Sequence, residues 1–173
     1  NADGYDDLII GAWGADPGGD SNAGESYVVF GKGDWSGTAS LDLSTLNGTT
    51  GFRLDGIDRN DQSGYSVSGV GDVNADGYDD LIIGAGYADP GGDSNAGESY
   101  VVFGKASFAS SLDLSTLNGT TGFRLDGIDQ WDRSGMSVSG VGDVNADGYD
   151  DLIIGASHAR PGGDVARGES YVV

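Results

Sequence analysis

Three stretches of the chain carry the same oxygen-bearing side chains at the same spacing. Asn1, Asp3 and Asp7 open the sequence; Asn74, Asp76 and Asp80 repeat the pattern, and so do Asn145, Asp147 and Asp151. The whole segment 1–12 recurs unchanged at 74–85 and again at 145–156. In the second and third copies an aspartate stands two positions ahead of the asparagine, Asp72 and Asp143, so that both read D-x-N-x-D-G-x-x-D. Carboxylate and amide oxygens at alternate positions of a tight loop are the ligands of a hard cation. A loop of this kind supplies side-chain oxygens from positions 1, 3 and 5 and a backbone carbonyl from position 7. Glycine at position 6, Gly77 or Gly148, permits the sharp turn.

The expected ligands are Asp72, Asn74, Asp76, the Tyr78 carbonyl and Asp80 in one loop, and Asp143, Asn145, Asp147, the Tyr149 carbonyl and Asp151 in the next. The first nine positions are similar to those of an EF-hand loop. Position 12, however, is Ile83 or Ile154 in place of glutamate, and a strand-like run follows, which leaves the position-9 aspartate to close the site. Flexible all-oxygen ligation suits Ca²⁺, whereas Mg²⁺ takes fewer protein ligands, and zinc or copper would call for the His and Cys that this chain almost lacks. The competing reading is a turn rich in Asp and Asn that holds no ion; against it, the clustered carboxylates repel one another without a cation. In the first copy Asn1, Asp3, the Tyr5 carbonyl and Asp7 remain, but no position-1 aspartate precedes them, so a weak or empty site is expected there.

The composition agrees. Among 173 residues, 28 are acidic and 8 basic, a net charge of −20 that opposes compaction unless cations offset it. The basic residues are scattered, so nucleic acid and anionic lipid are poor partners. With no cysteine there is no disulfide framework, thiolate site or cysteine nucleophile. No run approaches the roughly 18 apolar residues of a membrane-spanning helix, and no leader peptide is recognisable. Glycine, at 33 residues, has no collagen-like period and points to many tight turns.

The elements that must hold these loops are strands. One full period offers Tyr65 to Val70 with alternating apolar residues, then the continuous apolar run of Asp80 to Ala85, then the β-branched and aromatic run of Ser99 to Phe103, then Gly122 to Asp126 alternating again. Clusters of Gly, Asn, Asp and Ser separate them. Residues 41–48 and their twin 112–119 predict one short helical turn each. Four strands in about 70 residues, with no helices between, is the pattern of a propeller blade. The fold class is therefore all-β: β-propeller blades of four antiparallel strands. Residues 1–62 hold strands two to four of one blade, 63–127 a complete blade and 128–173 strands one to three of another. Both partial blades own strands two and three, so they do not complement each other. The chain reads as a segment of a larger propeller whose remainder comes from the same longer chain.

The runs Ser63-Gly-Tyr65-Ser-Val67, Gly71 to Ala85 and Gly97-Glu-Ser-Tyr-Val-Val-Phe103-Gly104 resemble the FG-GAP repeat of integrin α-subunit propellers and their bacterial relatives, over essentially the whole chain. The resemblance implies a propeller of about seven blades with Ca²⁺ in the loop joining the first two strands of a blade. It also implies an extracellular or cell-surface, non-catalytic module for adhesion that binds a protein or glycan ligand. Three features depart from the family pattern. Trp13, Gly86 and Ser157 replace the proline of the "GAP" triplet, Ser-Gly-Tyr65 and Ser-Gly-Met136 stand where the phenylalanine of "FG" is expected, and the Leu-Asp-Leu-Ser-Thr-Leu-Asn-Gly insertion lengthens the period. All three point away from integrin-like ligand choice and toward large bacterial surface or secreted proteins.

Other repeated residues have plainer readings. Asp16 and Asp89 head Pro-Gly-Gly loops that either bind a second cation or act as solvated hairpins, and Arg160 replaces the aspartate in the third copy, which favours the hairpin. Asp55, Asp58 and Asp61, with Asp126, Asp129 and Asp132, read as acidic turns, with a weak ion site as the alternative. Asn47 and Asn118 fit both a glycosylation acceptor and an Asn-Gly turn. Trp13, Trp35, Tyr87 and Trp131 would either stack on sugars or pack between blades. His158 is the sole histidine, and its counterparts are Gly14 and Tyr87, which argues against a Ser-His-Asp triad. The acids recur blade by blade, unlike the single asymmetric pair of a glycosidase. Two alternatives stay open: a structural repeat of a surface fibre or layer, suited by the near-identity of 41–58 and 112–129, and a propeller module of a secreted hydrolase.

Overall fold

The computed structural model describes residues 1–163 and 165–173. Eleven strands form among them: β1 Leu8–Ala12, β2 Glu25–Val29, β3 Gly51–Asp55, β4 Ser66–Gly71, β5 Asp80–Ala85, β6 Glu98–Val102, β7 Ser111–Asp113, β8 Gly122–Asp126, β9 Ser134–Gly142, β10 Asp151–Ala156 and β11 Glu169–Val172. They build three sheets in the orders β1-β2-β3-β7, β4-β5-β6-β8 and β9-β10-β11. The full set β4, β5, β6 and β8 is an antiparallel meander, and the four strands expected of one period are all present within a residue of their expected bounds. The helical pieces described are single 3₁₀ turns, including Leu43–Thr45 and Leu114–Thr116, where short turns were expected. No described helix is long and apolar enough to cross a membrane.

Side chains of a strand alternate between the two faces of its sheet, and the middle sheet uses both faces. Ile83, Ala85, Tyr100 and Val102 face the first sheet, where they pack with Val28, Phe30, Phe52 and Leu54. Ile82, Val101 and Val70 face the third, against Val138, Leu152 and Ile154. Burial on both sides is why β5 reads as a continuous apolar run and not as an alternating one; Ile82 and Ile83 are both fully buried.

Glycine lets the sheets meet closely. A Cβ on Gly84 of β5 would lie 2.0 Å from the Gly135 carbonyl oxygen of the third sheet, and one on Gly11 of β1 would lie 2.0 Å from that of Gly64. Backbone at the start of one blade thus rests on the strand that follows the acid loop of the blade before it.

One strand falls outside the expected pattern. β7 comes from the insertion between the third and fourth strands of the second blade, yet it pairs in parallel with β3 of the first sheet, aligning Arg53 with Ser111, Leu54 with Leu112 and Asp55 with Asp113. The insertion is therefore more than a helical turn: it reaches back and closes the outer edge of the preceding sheet.

Candidate metal-binding loops

The acid loops join the first and second strands of a blade: residues 72–79 link β4 to β5, and 143–150 link β9 to β10. Two left-handed residues bend each loop, Ala75 (φ 58°) with Gly77 (φ 89°) and Ala146 (φ 61°) with Gly148 (φ 95°). In the second loop Asp72 accepts from the amides of Asp76 (3.0 Å) and Gly77 (2.8 Å), Asn74 from Asp76 (2.9 Å), and Asp76 from Tyr78 (3.0 Å). The third loop repeats this bond for bond: Asp143 accepts from Asp147 (3.1 Å) and Gly148 (2.9 Å), Asn145 from Asp147 (2.8 Å), and Asp147 from Tyr149 (3.0 Å). In the first, Asn1 accepts from Asp3 (3.2 Å) and Asp3 from Tyr5 (3.0 Å), and the terminal ammonium stands 3.6 Å from Asp7.

Asp80 closes the second loop from inside the protein. It is fully buried and accepts from the amides of Val73 (3.0 Å) and Gly104 (2.7 Å). Burial pushes its carboxyl up to about 6, with Asp76 and Asp72 adding to the rise and the two amides opposing it. Asp151 does the same job, accepting from Val144 (2.8 Å), and Asp7 accepts from Gly31 (2.8 Å). The expected donors therefore all belong to one small loop in each blade. Their oxygens are turned onto loop amides, and among the described residues no three Asp, Glu, His or Cys side chains draw together as a ready metal cluster. The donor chemistry still fits a hard cation: every side-chain donor is oxygen, and a buried carboxylate closes the ring. The loop backbone is already bent, and its amides hold the oxygens of Asp72, Asn74 and Asp76 on the inside of the bend.

Three groups escaped the sequence reading. Asp150, next to the closing carboxylate, reaches back to the previous loop, where its side chain accepts from the Asp72 amide (3.0 Å). The signal for it was the first aspartate of every Tyr-Asp-Asp, an acid the metal reading left without a role. Glu-Ser-Tyr on the third strand of a blade and Arg-Leu-Asp on the fourth form a cross-strand network. Tyr100 donates to Glu98, and Arg124 bonds Glu98 (3.2 Å) and Asp126 (2.6 Å); Tyr27, Glu25, Arg53 and Asp55 repeat it. Burial and the neighbouring Glu25 push the Tyr27 phenol up to about 12. Lastly, Asp61 is not a solvated acidic turn. It is buried between blades, and burial, helped by Glu98, Asp58 and Asp89, pushes it up to about 7. Its counterpart Asp132 is buried too, and burial raises it likewise.

The remaining candidates are structural. Asp16 and Asp89 accept from the amides of Asn22 (2.7 Å) and Asn95 (2.6 Å), closing their hairpin loops. Asn47 and Asn118 accept from Thr49 and Thr120 (3.0 Å each), as turn residues do. Trp13 packs on Tyr65 of the next blade at 6.3 Å, Tyr65 on Tyr87 at 6.2 Å, and the Arg133 guanidinium lies over Tyr87 at 4.8 Å. Trp131 stays half exposed. His158 is exposed, and its Nδ1 lies 2.9 Å from Oγ of its sequence neighbour Ser157.

A family model described as the FG-GAP repeat matches residues 63–102 and 134–173. The chain carries two FG-GAP repeats. Each begins at the start of a blade and takes in its acid loop, and the all-β sheets are those of a propeller segment. Among curated proteins, integrin alpha pat-2 of Caenorhabditis briggsae is 44% identical over 62 residues, 35% of this chain and 5% of that protein. Integrin alpha pat-2 of Caenorhabditis elegans is 42% identical over 62 residues, again 35% of this chain and 5% of that protein. The chain thus spans about 5% of the length of the curated relatives it matches.

Proposed function

We propose that these FG-GAP blades are a calcium-stapled, non-catalytic module that works outside the cell in adhesion, offering a propeller surface to a protein or glycan ligand. The observation that carries this reading is the bond-for-bond recurrence of the D-x-N-x-D-G-x-x-D loop. Side-chain oxygens from Asp72, Asn74, Asp76 and Asp80, with the Tyr78 carbonyl, would hold one ion. Asp143, Asn145, Asp147 and Asp151, with the Tyr149 carbonyl, would hold the next. When bound, the cation supplies positive charge to a strongly acidic rim and ties the first strand of each blade to the second. Likeness to integrin alpha chains supports the adhesive, extracellular reading. The cleft of about 540 Å³ between the first two sheets supports the non-catalytic part of the reading. Its lining is acid-loop residues such as Asp7 and Asp80 together with core side chains such as Phe30, Phe52 and Phe108, and all its carboxylates belong to the repeated loops.

Thermal melts in calcium, in magnesium and in chelator test this. Calcium at 100 times its dissociation constant adds about 2.7 kcal/mol per site, and Asp72→Ala with Asp143→Ala should abolish the gain. Identical melts in all three conditions would leave the loops as plain turns and remove the calcium reading. A second reading, a structural repeat of a surface fibre, is favoured by one observation. The second of the identical segments 41–58 and 112–129 supplies Leu112 and Asp113 of the β7 clasp, and the first supplies the β3 edge it covers, a device for joining repeats. Filaments or lattices of the parent protein in electron micrographs would select it.

A further inference from the structure

The β3 edge and the β8 edge have the same sequence but different surroundings. Residues 41–58 and 112–129 are identical, so β3 and β8 are both Gly-Phe-Arg-Leu-Asp on the same turn. β3 is covered. β7 lies along it in parallel, the Arg53 amide donates to the Ser110 carbonyl (3.0 Å), and Phe108 stacks flat on Phe52 with centroids 4.0 Å apart and planes 6° apart. Under that cover Phe52 is 1% exposed and Leu54 0%. β8 is the last strand of its sheet; its Phe123 and Leu125 are only partly buried, and Arg124 and Asp126 are exposed.

The chain also holds a second copy of the covering segment, in another state. Trp35 follows Phe30 at the same distance in sequence as Phe108 follows Phe103, and Ser40-Leu41-Asp42 comes after it as Ser111-Leu112-Asp113 comes after Phe108. Lys32 lies over the Trp35 ring at 4.3 Å, as Lys105 lies over Phe108 at 4.9 Å. Ser40–Asp42 nevertheless forms no strand, and Trp35 and Leu41 are 41% and 39% exposed.

We propose that the outer edge of β8 is a docking site for a parallel strand of the type aromatic-x₂₋₄-Ser-Leu-Asp, the insertion of another repeat of this design. Unpaired edge amides and carbonyls are a template for such a strand. The same template, one period earlier at β3, is filled by this segment within the same molecule. The incoming aromatic takes the place of Phe108 on Phe123, and the leucine that of Leu112 against Leu125. A second copy of this chain, offering its free Ser40–Asp42 segment, does not fit as donor, because its own first sheet would have to enter the space held by β10 and β11. The outcome is a directional clasp in which each blade's insertion locks the blade before it.

The chain has no cysteine, so disulfide trapping reads the register directly. The probe is a peptide of residues 105–117 carrying cysteine in place of Asp113, mixed with the 173-residue Asp126→Cys variant; these positions match the aligned pair Asp55 and Asp113. Cross-linking at least tenfold above that of a peptide with cysteine at position 107, and at least tenfold slower hydrogen exchange at the Arg124 amide with unmodified peptide, are expected. A Phe108→Ala, Leu112→Asp peptide should lose both effects. Equal cross-linking by the two cysteine peptides, or unchanged exchange at Arg124, would overturn the proposal. So would protection of β8 in the peptide-free chain that vanishes on dilution, since that would assign the edge to a second copy.

Discussion

Alanine at Gly84 and at Gly155 should have opposite effects, although the two glycines sit in the same hexapeptide Asp-Leu-Ile-Ile-Gly-Ala. Each stands between two serines across its sheet, Ser66 and Ser99 for Gly84, Ser137 and Ser170 for Gly155. Neither has a positive φ, so neither backbone resists alanine. What differs, within residues 1–173, is the packing of a further sheet. A Cβ at Gly84 would meet the Gly135 carbonyl oxygen at 2.0 Å and Ser66 Oγ at 2.4 Å, whereas one at Gly155 meets, among the described residues, Ser137 alone, at an ordinary 3.6 Å. Ordinary contact begins at 3.4 Å. The obstacle at Gly84 is a backbone carbonyl and not the end of a flexible side chain, so the third sheet itself must withdraw to reach that distance. That motion would break the bond from Ser66 Oγ to the Gly135 carbonyl (2.8 Å) and loosen the packing of Val138, Leu152 and Ile154 on Ile82 and Val101.

Overpacking of this kind costs about 1–3 kcal/mol. Glycine within a strand is worth roughly 0.5–1 kcal/mol less than alanine, and that is the whole effect at Gly155. Gly84→Ala should therefore lower stability by about 1–3 kcal/mol, and Gly155→Ala should leave it unchanged or raise it by up to about 1 kcal/mol. Urea unfolding at constant calcium, with slopes compared to confirm two-state behaviour, is the assay. Equal midpoints for the two variants would refute the claim that blade-to-blade backbone contact sets the glycine in this motif.

Further outcomes follow from the other contacts. Asp61 is raised from 3.8 to about 7 in the folded chain, so the native state holds its proton more tightly than the unfolded one does. The associated stability is full below about pH 4 and is lost as pH rises through 7, by up to about 4 kcal/mol at 1.36 kcal/mol per unit. Asp61→Asn should flatten that fall between pH 5 and 8 in chelator, as read by urea midpoints, and an unchanged profile would remove Asp61 as its source. Phe108→Ala takes away the ring stacked on Phe52; with Phe108 only partly buried, about half of the roughly 3–5 kcal/mol for a buried phenylalanine is expected, with faster hydrogen exchange at Arg53. Asp80→Ala frees the amides of Val73 and Gly104 together, so exchange should quicken at both, whereas Asp76→Ala, which touches Tyr78, should leave Gly104 protected.

The strands were legible because their signals are local. Asp80 to Ala85 is an almost unbroken apolar run, and the turns on either side are glycine and asparagine. The acid loops were legible through recurrence, and their members did fall in one loop per blade. β7 was not legible, because Ser-Leu-Asp is neither long nor apolar; its pairing depends on the β3 edge in the previous blade and on Phe108 finding Phe52. Asp61 was missed for a related reason. An acid in a turn of Asp, Arg, Asn and Gln looks solvated, and only the approach of the next blade, with Glu98 and Asp89, buries it. Non-local burial defeats local reading in both cases.

The acid loops and the clasp are not independent devices. One Asp80 oxygen holds Val73 inside the loop, and the other holds Gly104, where the insertion leading to Phe108 and β7 begins. Asp7 holds Gly31 in the same way at the root of the Trp35 segment. In the second blade one buried carboxylate, Asp80, thus fixes both the closing position of the loop and the departure of the strand that reaches back to the previous blade. Asp150 adds a second link, from one loop to the amide that opens the previous one. A cation drawn into such a loop would act on an atom already shared with the clasp. The order it imposes would therefore pass backward along the array, from each blade to the one before it.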